Sequence, residues 1–188
     1  MAKVLIIYAH PAHQHSVVNR MLLDHIRDIP GVHIHDLYEA YPDFFIDVEV
    51  EQARLREYDA VVLQHPVYWY NMPSLLREWQ DLVLEYGFAY GKSAKACALE
   101  GKPLWVVMTA GAPEHTYDEE GINQRPLSEY FYQYERMAQV CKMRHMPALE
   151  IFYSRRNPAS VMEGVAQQYH QALTRLTEGL EIEGFGHG

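Results

Sequence analysis

The stretch VLIIYAHPAHQHSVVNRMLLDHI, residues 4–26, joins a short apolar run to an amphipathic segment through a polar turn. Its first part, Val4 to Tyr8, is rich in β-branched residues and too short for a helix, so it predicts a strand that is buried on both faces. After the turn, apolar residues recur along one side of a predicted helix: Val17, Val18, Met21, Leu22 and Ile26. A buried strand followed by such a helix is typical of a parallel βαβ unit.

Short apolar runs and helical stripes alternate along the remaining sequence. Further strands are predicted at residues 32–37, 60–64, 104–109 and 149–153, and further helices at residues 47–58, 73–83, 127–138 and 161–176. Five strands separated by helices predict an α/β three-layer sandwich, in which helices cover both faces of one parallel sheet. The length suits the flavodoxin-like strand order 2-1-3-4-5, and no linker divides residues 1–188, so we expect a single domain.

The composition excludes several classes of protein. Hydrophobic residues make up 48% of the 188 residues and charged residues 22%, which is typical of a soluble globular protein rather than a disordered or fibrous one. No apolar stretch approaches the ~20 residues that span a bilayer, and no signal peptide is recognisable, so we expect a cytoplasmic protein. The net charge of −9 disfavours nucleic acid as a partner. Cys97 and Cys141 form no C-x-x-C motif and are expected to be reduced and buried.

In a sheet of this order, ligands bind outside the carboxyl ends of the strands, between the first and third strands. The loop after the first strand, residues 10–16, leads into a helix N-terminus, where free N–H groups and partial positive charge attract anions. His10, Ser16 and Asn19 add side-chain donors, so we expect this loop to bind a phosphate. The alternative is that Ser16 is only a helix cap.

Three consecutive aromatic residues, Tyr68, Trp69 and Tyr70, lie in the loop that is predicted to begin at His65. Neighbouring side chains diverge, so the three rings cannot all enter one core, and some are expected to cover a ligand or a partner. Flat rings together with loop N–H groups suit a planar heteroaromatic ligand such as a flavin. The alternative is that these rings cap the core or form a dimer interface.

The loop after the fourth strand, Thr109 to Pro113, consists of small residues. Small side chains allow backbone N–H groups to approach a ligand closely. We expect these groups to hold the pyrimidine side of a flavin and to stabilise the negative charge that develops there on reduction.

Other motifs are incomplete. Residues 87–93, GFAYGKS, resemble a phosphate-binding P-loop, but the two glycines are one residue too close and the segment follows a helix. The eleven histidines lack carboxylate and cysteine partners at ligand spacing, so we expect no metal site. No G-x-S-x-G motif indicates a serine hydrolase.

Five segments in order along nearly the whole chain carry a family resemblance: Tyr8-Ala-His-Pro11, Ser16-Val-Val-Asn19, Gln64-His-Pro-Val-Tyr-Trp-Tyr70, Pro73-Ser-Leu-Leu-Arg-Glu-Trp79 and Gly87-Phe-Ala-Tyr90. Together they resemble the flavodoxin-like NAD(P)H:quinone oxidoreductases, the DT-diaphorase family. Three more segments are similar to a small bacterial branch of it: His35-Asp-Leu-Tyr38, Tyr41-Pro-Asp-Phe-Phe-Ile-Asp47 and Tyr153-Ser-Arg-Arg156. That branch contains general stress proteins and ancillary subunits of glutathione-gated potassium-efflux antiporters.

The resemblance implies a homodimer with a non-covalent flavin. In such enzymes NAD(P)H gives a hydride to the flavin and leaves, and a quinone then takes two electrons in the same pocket. The short chain favours FMN, and FAD is the alternative. The residues that the resemblance assigns to flavin binding are His10, Ser16, Val17, Val18, Asn19, Pro66, Val67, Tyr68, Trp69, Tyr70, Thr109, Ala110, Gly111 and Ala112.

The resemblance also implies a catalytic role for Tyr117, which falls at the spacing of a tyrosine that assists charge transfer in longer relatives. Asn123 stands where those relatives have a histidine, and an asparagine does not supply a proton near neutral pH. The usual threonine-threonine-glycine-glycine loop reads Thr109-Ala-Gly-Ala112, which removes one hydroxyl.

Two other functions stay open on the sequence alone. The bacterial branch implies a regulatory subunit that docks on the cytoplasmic face of a potassium-efflux antiporter, and such a subunit would lie at the inner membrane. The third function is a one-electron carrier of the flavodoxin type, although the aromatic loop favours two-electron chemistry.

Overall fold

A parallel β-sheet lies between two layers of helices in the computed structural model, which describes residues 1–93, 97–152, 159–180 and 182. Within these residues the strands are β1 (Val4–Tyr8), β2 (Val32–Asp36), β3 (Ala60–Pro66), β4 (Pro103–Thr109), β5 (Arg144–His145) and β6 (Leu149–Ile151). The α-helices are α1 (Val18–Ile26), α2 (Leu37–Ala40), α3 (Val48–Glu57), α4 (Ser74–Val83), α5 (Leu127–Tyr130), α6 (Tyr132–Val140) and α7 (Ala159–Thr177).

The strand order is β2-β1-β3-β4-β5, which confirms the predicted order and the α/β three-layer architecture. All the ladders are parallel, and Ile6 of β1 lies between Ile34 of β2 and Val62 of β3. The edge strand β2 is only partly buried, as its alternating sequence predicts. Tyr8 is in register with Gln64, so the carboxyl ends of β1 and β3 lie side by side.

Two short strands replace the single fifth strand that was predicted at residues 149–153. β5 pairs with the first two residues of β4, and β6 pairs with residues 107–109. Pro147 lies between β5 and β6 and has no N–H for the ladder, while its carbonyl accepts a hydrogen bond from Trp105 Nε1 at 3.0 Å. The predicted strand at residues 149–153 is therefore confirmed over Leu149–Ile151, and the short strand β5 before it was not predicted. Tyr153 and the rest of the segment to Arg156 lie outside the described residues.

Alternate residues of β1 enter two hydrophobic cores, one on each face of the sheet. Leu5 and Ile7 belong to the core formed with α3, α4 and α6, whereas Ile6 and Tyr8 belong to the core formed with α1 and α7. Burial of both faces explains why the strands consist of continuous apolar runs. As a consequence, the helices that follow β1 and β3 lie on opposite faces.

Two helical regions differ from the periodic pattern in the sequence. The helix predicted at residues 127–138 is divided into α5 and α6 at Phe131, whose φ of −112° and ψ of 20° lie outside the helical region. Val17, predicted on the buried side of the first helix, precedes α1 as its N-cap and is 72% exposed.

The predicted burial of Cys97 and Cys141 is confirmed, and both thiols are free. In the part of the chain that the structure describes, no helix has both the length and the apolar character that crossing a membrane requires.

Candidate functional site

The carboxyl ends of β1 and β3 are neighbours, and the chain leaves them toward opposite faces of the sheet. α1 follows β1 and packs on one face, and α4 follows β3 and packs on the other. Segments that diverge in this way leave a crevice at the end of the sheet, which is where ligands bind in folds of this topology. The loop after β4 lies next to this crevice because β4 pairs with β3.

No side chain among the described residues caps the first turn of α1. Val17 occupies the N-cap position, and α1 begins at Val18. Ser16 instead ends a 3₁₀ turn formed by His13–His15, and its N–H donates to the His13 carbonyl at 3.0 Å. The interpretation of Ser16 as the helix cap is therefore wrong. Since Val17 offers no oxygen to the first turn, the unpaired N–H groups and positive dipole of α1 are available to an anion.

His10 connects the first loop to the second. Its Nδ1 accepts a hydrogen bond from the Ala12 N–H at 3.1 Å, so the neutral ring carries its proton on Nε2. The ring is buried and lies edge-on to Tyr68, with 6.1 Å between the two ring centroids. The phosphate-binding and aromatic loops predicted from the sequence are thus in contact.

The second loop begins later than the sequence predicts. His65 and Pro66 are the last residues of β3, and His65 is fully buried rather than part of a loop. The loop starts at Val67, whose N–H donates to the Thr109 carbonyl at 2.9 Å. This hydrogen bond fixes the start of the second loop against the end of β4.

The three consecutive aromatic residues form a tight turn that projects into solvent. Tyr68 and Asn71 exchange backbone hydrogen bonds of 2.9 and 3.0 Å, and the two residues between them have positive φ angles, 50° for Trp69 and 61° for Tyr70. This is the backbone of a type I′ turn, which glycine or asparagine normally occupies. The Trp69 side chain is 95% exposed, which contradicts the alternative that it caps the core. Strained backbone conformations cluster at ligand-binding sites, and here the strained turn holds an exposed aromatic ring.

Tyr70 leads from this turn to a cluster around Asn123. The Tyr70 hydroxyl donates to Asn123 Oδ1 at 2.9 Å, and the Tyr70 ring stacks on Tyr130 with 5.0 Å between centroids. Asn123 donates in turn from Nδ2 to Thr116 Oγ1 at 3.1 Å. At the position where longer relatives have a histidine, this chain therefore has an amide that ties the second loop to the segment after β4.

Tyr117 lies beside the same cluster. Its half-buried ring is 6.5 Å from the ring of Tyr130 and 5.5 Å from that of Phe152. Burial, followed by the nearby Tyr70 and Tyr130, raises the pKa of Tyr117. A raised pKa makes the hydroxyl a weaker acid, so at neutral pH it is protonated and acts as a hydrogen-bond donor.

The third loop offers fewer N–H groups than the sequence predicts. Ala110 is buried and donates its N–H to the Ile151 carbonyl of β6 at 2.8 Å, so this group is not available to a ligand. Among the described residues, the N–H groups of Gly111 and Ala112 have no backbone acceptor. In this loop, the backbone donors that can bind a ligand are therefore these two N–H groups.

Asn19 is predicted from the sequence to bind phosphate, but its side chain is only 2% exposed. It accepts a hydrogen bond from Gln64 Nε2 at 3.2 Å and donates one to Thr109 Oγ1 at 2.9 Å. The buried side chain is thus held by two protein partners, and its backbone N–H in the first turn of α1 is the group that it offers to an anion. Sequence reasoning missed Gln64, although a glutamine within the apolar run Ala60 to Gln64 was a visible signal of a buried polar contact.

The groups collected at the crevice fit a ligand with a flat ring and an anionic end. The first turn of α1 supplies N–H donors and positive potential for the anion. Tyr68 and Trp69 supply aromatic surface, and Thr109 and Gly111 lie where the third loop meets that surface. A flavin mononucleotide has both chemical features, so the described residues fit this cofactor.

Comparison with known proteins identifies chains similar over most of this length. Residues 2–176 match the family described as having the flavodoxin-like fold. The glutathione-regulated potassium-efflux system ancillary protein KefG from Erwinia tasmaniensis is 46% identical over 167 residues, which cover 89% of this chain and 90% of the relative.

Solved structures give the same fold under different names. The general stress protein 14 of Treponema denticola, a complex with FMN, has a TM-score of 0.82, 33% identity, and coverage of 93% of this chain and 97% of its own. An NADPH-quinone reductase from P. pentosaceus has a TM-score of 0.82, 29% identity, and coverage of 90% and 96%. A chain named as a tryptophan halogenase from Streptomycin violaceusniger has a TM-score of 0.86, 38% identity, and coverage of 90% and 97%. Because these names differ in activity, function has to be argued from the site.

Proposed function

We propose that this chain, which belongs to the family of proteins with the flavodoxin-like fold, is an FMN-dependent NAD(P)H:quinone oxidoreductase. The observation that carries the proposal is the contact of His10 with Tyr68, 6.1 Å between ring centroids, which joins the loop before the uncapped helix α1 to the strained aromatic turn. The similar chains from Treponema denticola, an FMN complex, and from P. pentosaceus, an NADPH-quinone reductase, support the same chemistry.

The chain's own residues divide into two groups in this proposal. When bound, FMN supplies hydride transfer from NAD(P)H and two-electron reduction of a quinone. His10 and residues 16–19 bind the phosphate end, chiefly through the N–H groups of the first turn of α1. The remaining residues hold the ring: Pro66, Val67, Tyr68, Trp69 and Tyr70 along its face, and Thr109, Gly111 and Ala112 along its edge. Ala110 supports this edge from behind, because it is buried and its N–H is bonded to Ile151.

Tyr117 is the proposed catalytic residue. Its hydroxyl carries a proton at neutral pH and can donate a hydrogen bond to a quinone oxygen as negative charge develops there. Asn123 does not replace a histidine as an acid or base. It instead positions the aromatic turn through its hydrogen bond with Tyr70.

The assembly and location form part of the same proposal. Residues 1–188 act as one unit, and two copies associate near the crevice, where Val17, Trp69 and Ile122 are exposed apolar side chains. The enzyme works in the cytoplasm, and NAD(P)H and the quinone use the crevice in turn.

A visible absorption spectrum of the purified protein is the first test. We expect a flavin spectrum and release of FMN on denaturation, and we expect NADPH to bleach the spectrum and benzoquinone to restore it. Omission of benzoquinone is the control, since a catalytic cycle then stops after one reduction. Protein that stays colourless after incubation with FMN, or bound FMN that NADPH does not reduce, would refute the proposal.

A second function is that of an ancillary subunit on the cytoplasmic face of a potassium-efflux antiporter. The observation that favours it is the 46% identity with KefG over nearly the whole of both chains. An oxidoreductase site and a docking surface are compatible in one protein, because the crevice occupies only one end of the sheet.

Co-purification with the antiporter from solubilised membranes tests this second function. We expect a complex and a change in potassium efflux when the protein is deleted. To separate the two functions, a variant that does not bind FMN is expressed in the deletion strain. If docking alone controls the antiporter, this variant should restore the control of potassium efflux. Neither binding nor any change in efflux would exclude this function.

A further inference from the structure

Four buried polar side chains form a continuous hydrogen-bonded chain from α7 to the crevice. The Tyr169 hydroxyl donates to Gln64 Oε1 at 2.9 Å, and Gln64 Nε2 donates to Asn19 Oδ1 at 3.2 Å. Asn19 Nδ2 then donates to Thr109 Oγ1 at 2.9 Å. All four side chains are at least nine-tenths buried.

This hydrogen-bonded chain crosses an apolar region, so burying its polar groups costs free energy unless each of them has a partner. Tyr169 packs among the apolar side chains of the core between the sheet and α7, with its ring 5.4 Å from that of Trp105. Apolar side chains at all four positions would fill the same space without a hydrogen-bonding requirement. The polar chain therefore calls for a function beyond packing, and its open end at Thr109 indicates where that function lies.

The direction of the donors in this chain is set by Tyr169. Each amide could be turned over, which would reverse all three hydrogen bonds and leave the Tyr169 proton without an acceptor. Within the described residues, the only hydrogen bond of Tyr169 is the one to Gln64, and burial raises its pKa so that the proton is retained. A buried hydroxyl proton without an acceptor is unfavourable, so Tyr169 must donate.

Once Tyr169 donates, the orientation of Thr109 follows. Thr109 Oγ1 accepts from Asn19, which leaves its own proton to be donated elsewhere. Among the hydrogen bonds of the described residues, Thr109 Oγ1 is an acceptor only. Thr109 is the last residue of β4 and lies at the carboxyl end of the sheet, and since no hydrogen bond of the described residues uses this proton, a ligand in the crevice is the partner that fits it.

We propose that Tyr169, Gln64 and Asn19 are positioning residues that fix the Thr109 hydroxyl as a hydrogen-bond donor toward the ligand in the crevice. The ligand edge that meets Thr109 must then carry an acceptor, such as a carbonyl oxygen or an unprotonated ring nitrogen. The identification of this ligand as the FMN ring rests on the proposed function, whereas the directed hydrogen-bonded chain does not.

A double-mutant cycle on FMN affinity tests the proposal, with dissociation constants measured by quenching of flavin fluorescence. Tyr169→Phe removes one oxygen that is three hydrogen bonds from the crevice, and we expect FMN binding to weaken about two- to tenfold, the value of one ordinary hydrogen bond. Thr109→Val should weaken it at least as much, and Thr109→Ser should retain wild-type affinity. The double variant Tyr169→Phe/Thr109→Val should bind FMN as Thr109→Val does, because the two residues act through one chain.

Tyr41→Phe is the matched control for the loss of a buried tyrosine hydroxyl. Tyr41 is also buried, and its hydroxyl donates to Glu51 Oε1 at 2.9 Å in the opposite core. This variant should lose comparable stability but keep its FMN affinity. Wild-type affinity in Tyr169→Phe, or additive losses in the double variant, would overturn the proposal.

A second measurement uses the protein without FMN. In ¹H–¹⁵N spectra, Tyr169→Phe should shift the side-chain amide signals of Asn19 and speed their exchange with water, and Thr109→Val should do the same to Gln64. Unchanged amide signals in both variants would overturn the proposal. If the wild-type protein binds no FMN, the proposed function fails, and these spectra still decide whether the chain is coupled. Should Tyr169→Phe fail to fold, the response of Gln64 to Thr109→Val decides the same question.

Discussion

The hydroxyl of Tyr134 in α6 donates a hydrogen bond to Nε2 of His65 at the end of β3, with 2.6 Å between the two atoms. The donor is certain because His65 Nδ1 lies 2.8 Å from the Pro66 carbonyl, which only accepts, and therefore carries the ring proton. Both side chains are buried, and the ring of Phe131 packs against each of them. This pair anchors the start of the aromatic turn to a helix on one face of the sheet.

Removal of the Tyr134 hydroxyl should destabilise the protein. Tyr134→Phe leaves His65 Nε2 buried without a donor, and we expect the free energy of unfolding to fall by about 1 to 3 kcal/mol. Tyr132→Phe is the control, because Tyr132 is exposed on the same helix. Urea denaturation of the two variants measures the difference, and equal stability would show that the hydrogen bond contributes nothing.

His65 should also make the stability depend on pH. Burial lowers the pKa of His65 to about 4, whereas the unfolded chain titrates near its ordinary value of 6.5. Between these two values the unfolded state binds a proton that the folded state does not, so stability is lost as the pH falls. The free energy of unfolding should decrease by up to ~1.4 kcal/mol per pH unit over this window and level off below it.

The variant His65→Gln isolates this effect from the other titrating groups. Glutamine can donate to the Pro66 carbonyl and accept from Tyr134, but it does not titrate. In chemical denaturation between pH 7 and pH 4, the stability of the wild type should fall more steeply with decreasing pH than that of the variant. Parallel curves would mean that the His65 pKa is not depressed in the folded protein.

Trp69 should matter for the ligand and not for folding. The Trp69 side chain is exposed and its backbone is in the left-handed region, so Trp69→Gly should leave the flavin-free protein at least as stable as wild type. The loss of aromatic surface should weaken FMN binding several-fold, up to about tenfold. Trp69→Phe keeps a ring and serves as the control in thermal melts and FMN titrations. Normal FMN retention in Trp69→Gly would remove this residue from the site.

The hydroxyl of Tyr117 should accelerate quinone reduction. Positioned proton donors typically contribute ~10² to 10⁴-fold to a rate, so Tyr117→Phe should slow the oxidative half-reaction by a large factor while FMN binding stays normal. Stopped-flow mixing of the NADPH-reduced protein with benzoquinone measures this step. Tyr58→Phe, at the opposite end of the sheet, is the control. A slowing of less than about twofold would exclude the catalytic role.

Gly121 should be required for the shape of the segment after β4. A Cβ atom at position 121 would lie 2.5 Å from the Thr116 carbonyl oxygen, which is closer than real contacts allow. The same carbonyl accepts the Asn123 N–H at 2.9 Å, so Gly121→Ala should displace Asn123 and loosen the Tyr70 contact. We expect a higher KM for the quinone and a lower melting temperature.

The helix glycine Gly164 provides the control for Gly121→Ala. A Cβ at position 164 meets no atom within 4 Å, and alanine is favoured over glycine within a helix by about 0.5 to 1 kcal/mol. Gly164→Ala should therefore raise the melting temperature and leave the kinetics unchanged. Identical responses of the two variants would show that the close approach at Gly121 is relaxed without consequence.

Local sequence patterns predicted the helices and strands but not the positions at which they are interrupted. The apolar run Val4 to Tyr8 specified a strand because a five-residue segment without alternation can be buried only on both faces. The periodicity at residues 127–138 continued through Phe131, so it could not reveal the break between α5 and α6. A hydrophobic pattern records which side chains are buried, and both a straight and a broken helix can bury them.

Amino-acid patterns alone were enough to predict the layered architecture, the strand order and the three segments that meet at the crevice, because short-range periodicity and the rules that connect parallel strands govern them. The folded structure was needed to tell which donors are free. Asn19 is withdrawn into a buried chain with Gln64, Ala110 is bonded to β6, and Val17 rather than Ser16 precedes α1. Hydrogen-bond partners from distant strands and helices are brought together by packing, and no local pattern records which of them will meet.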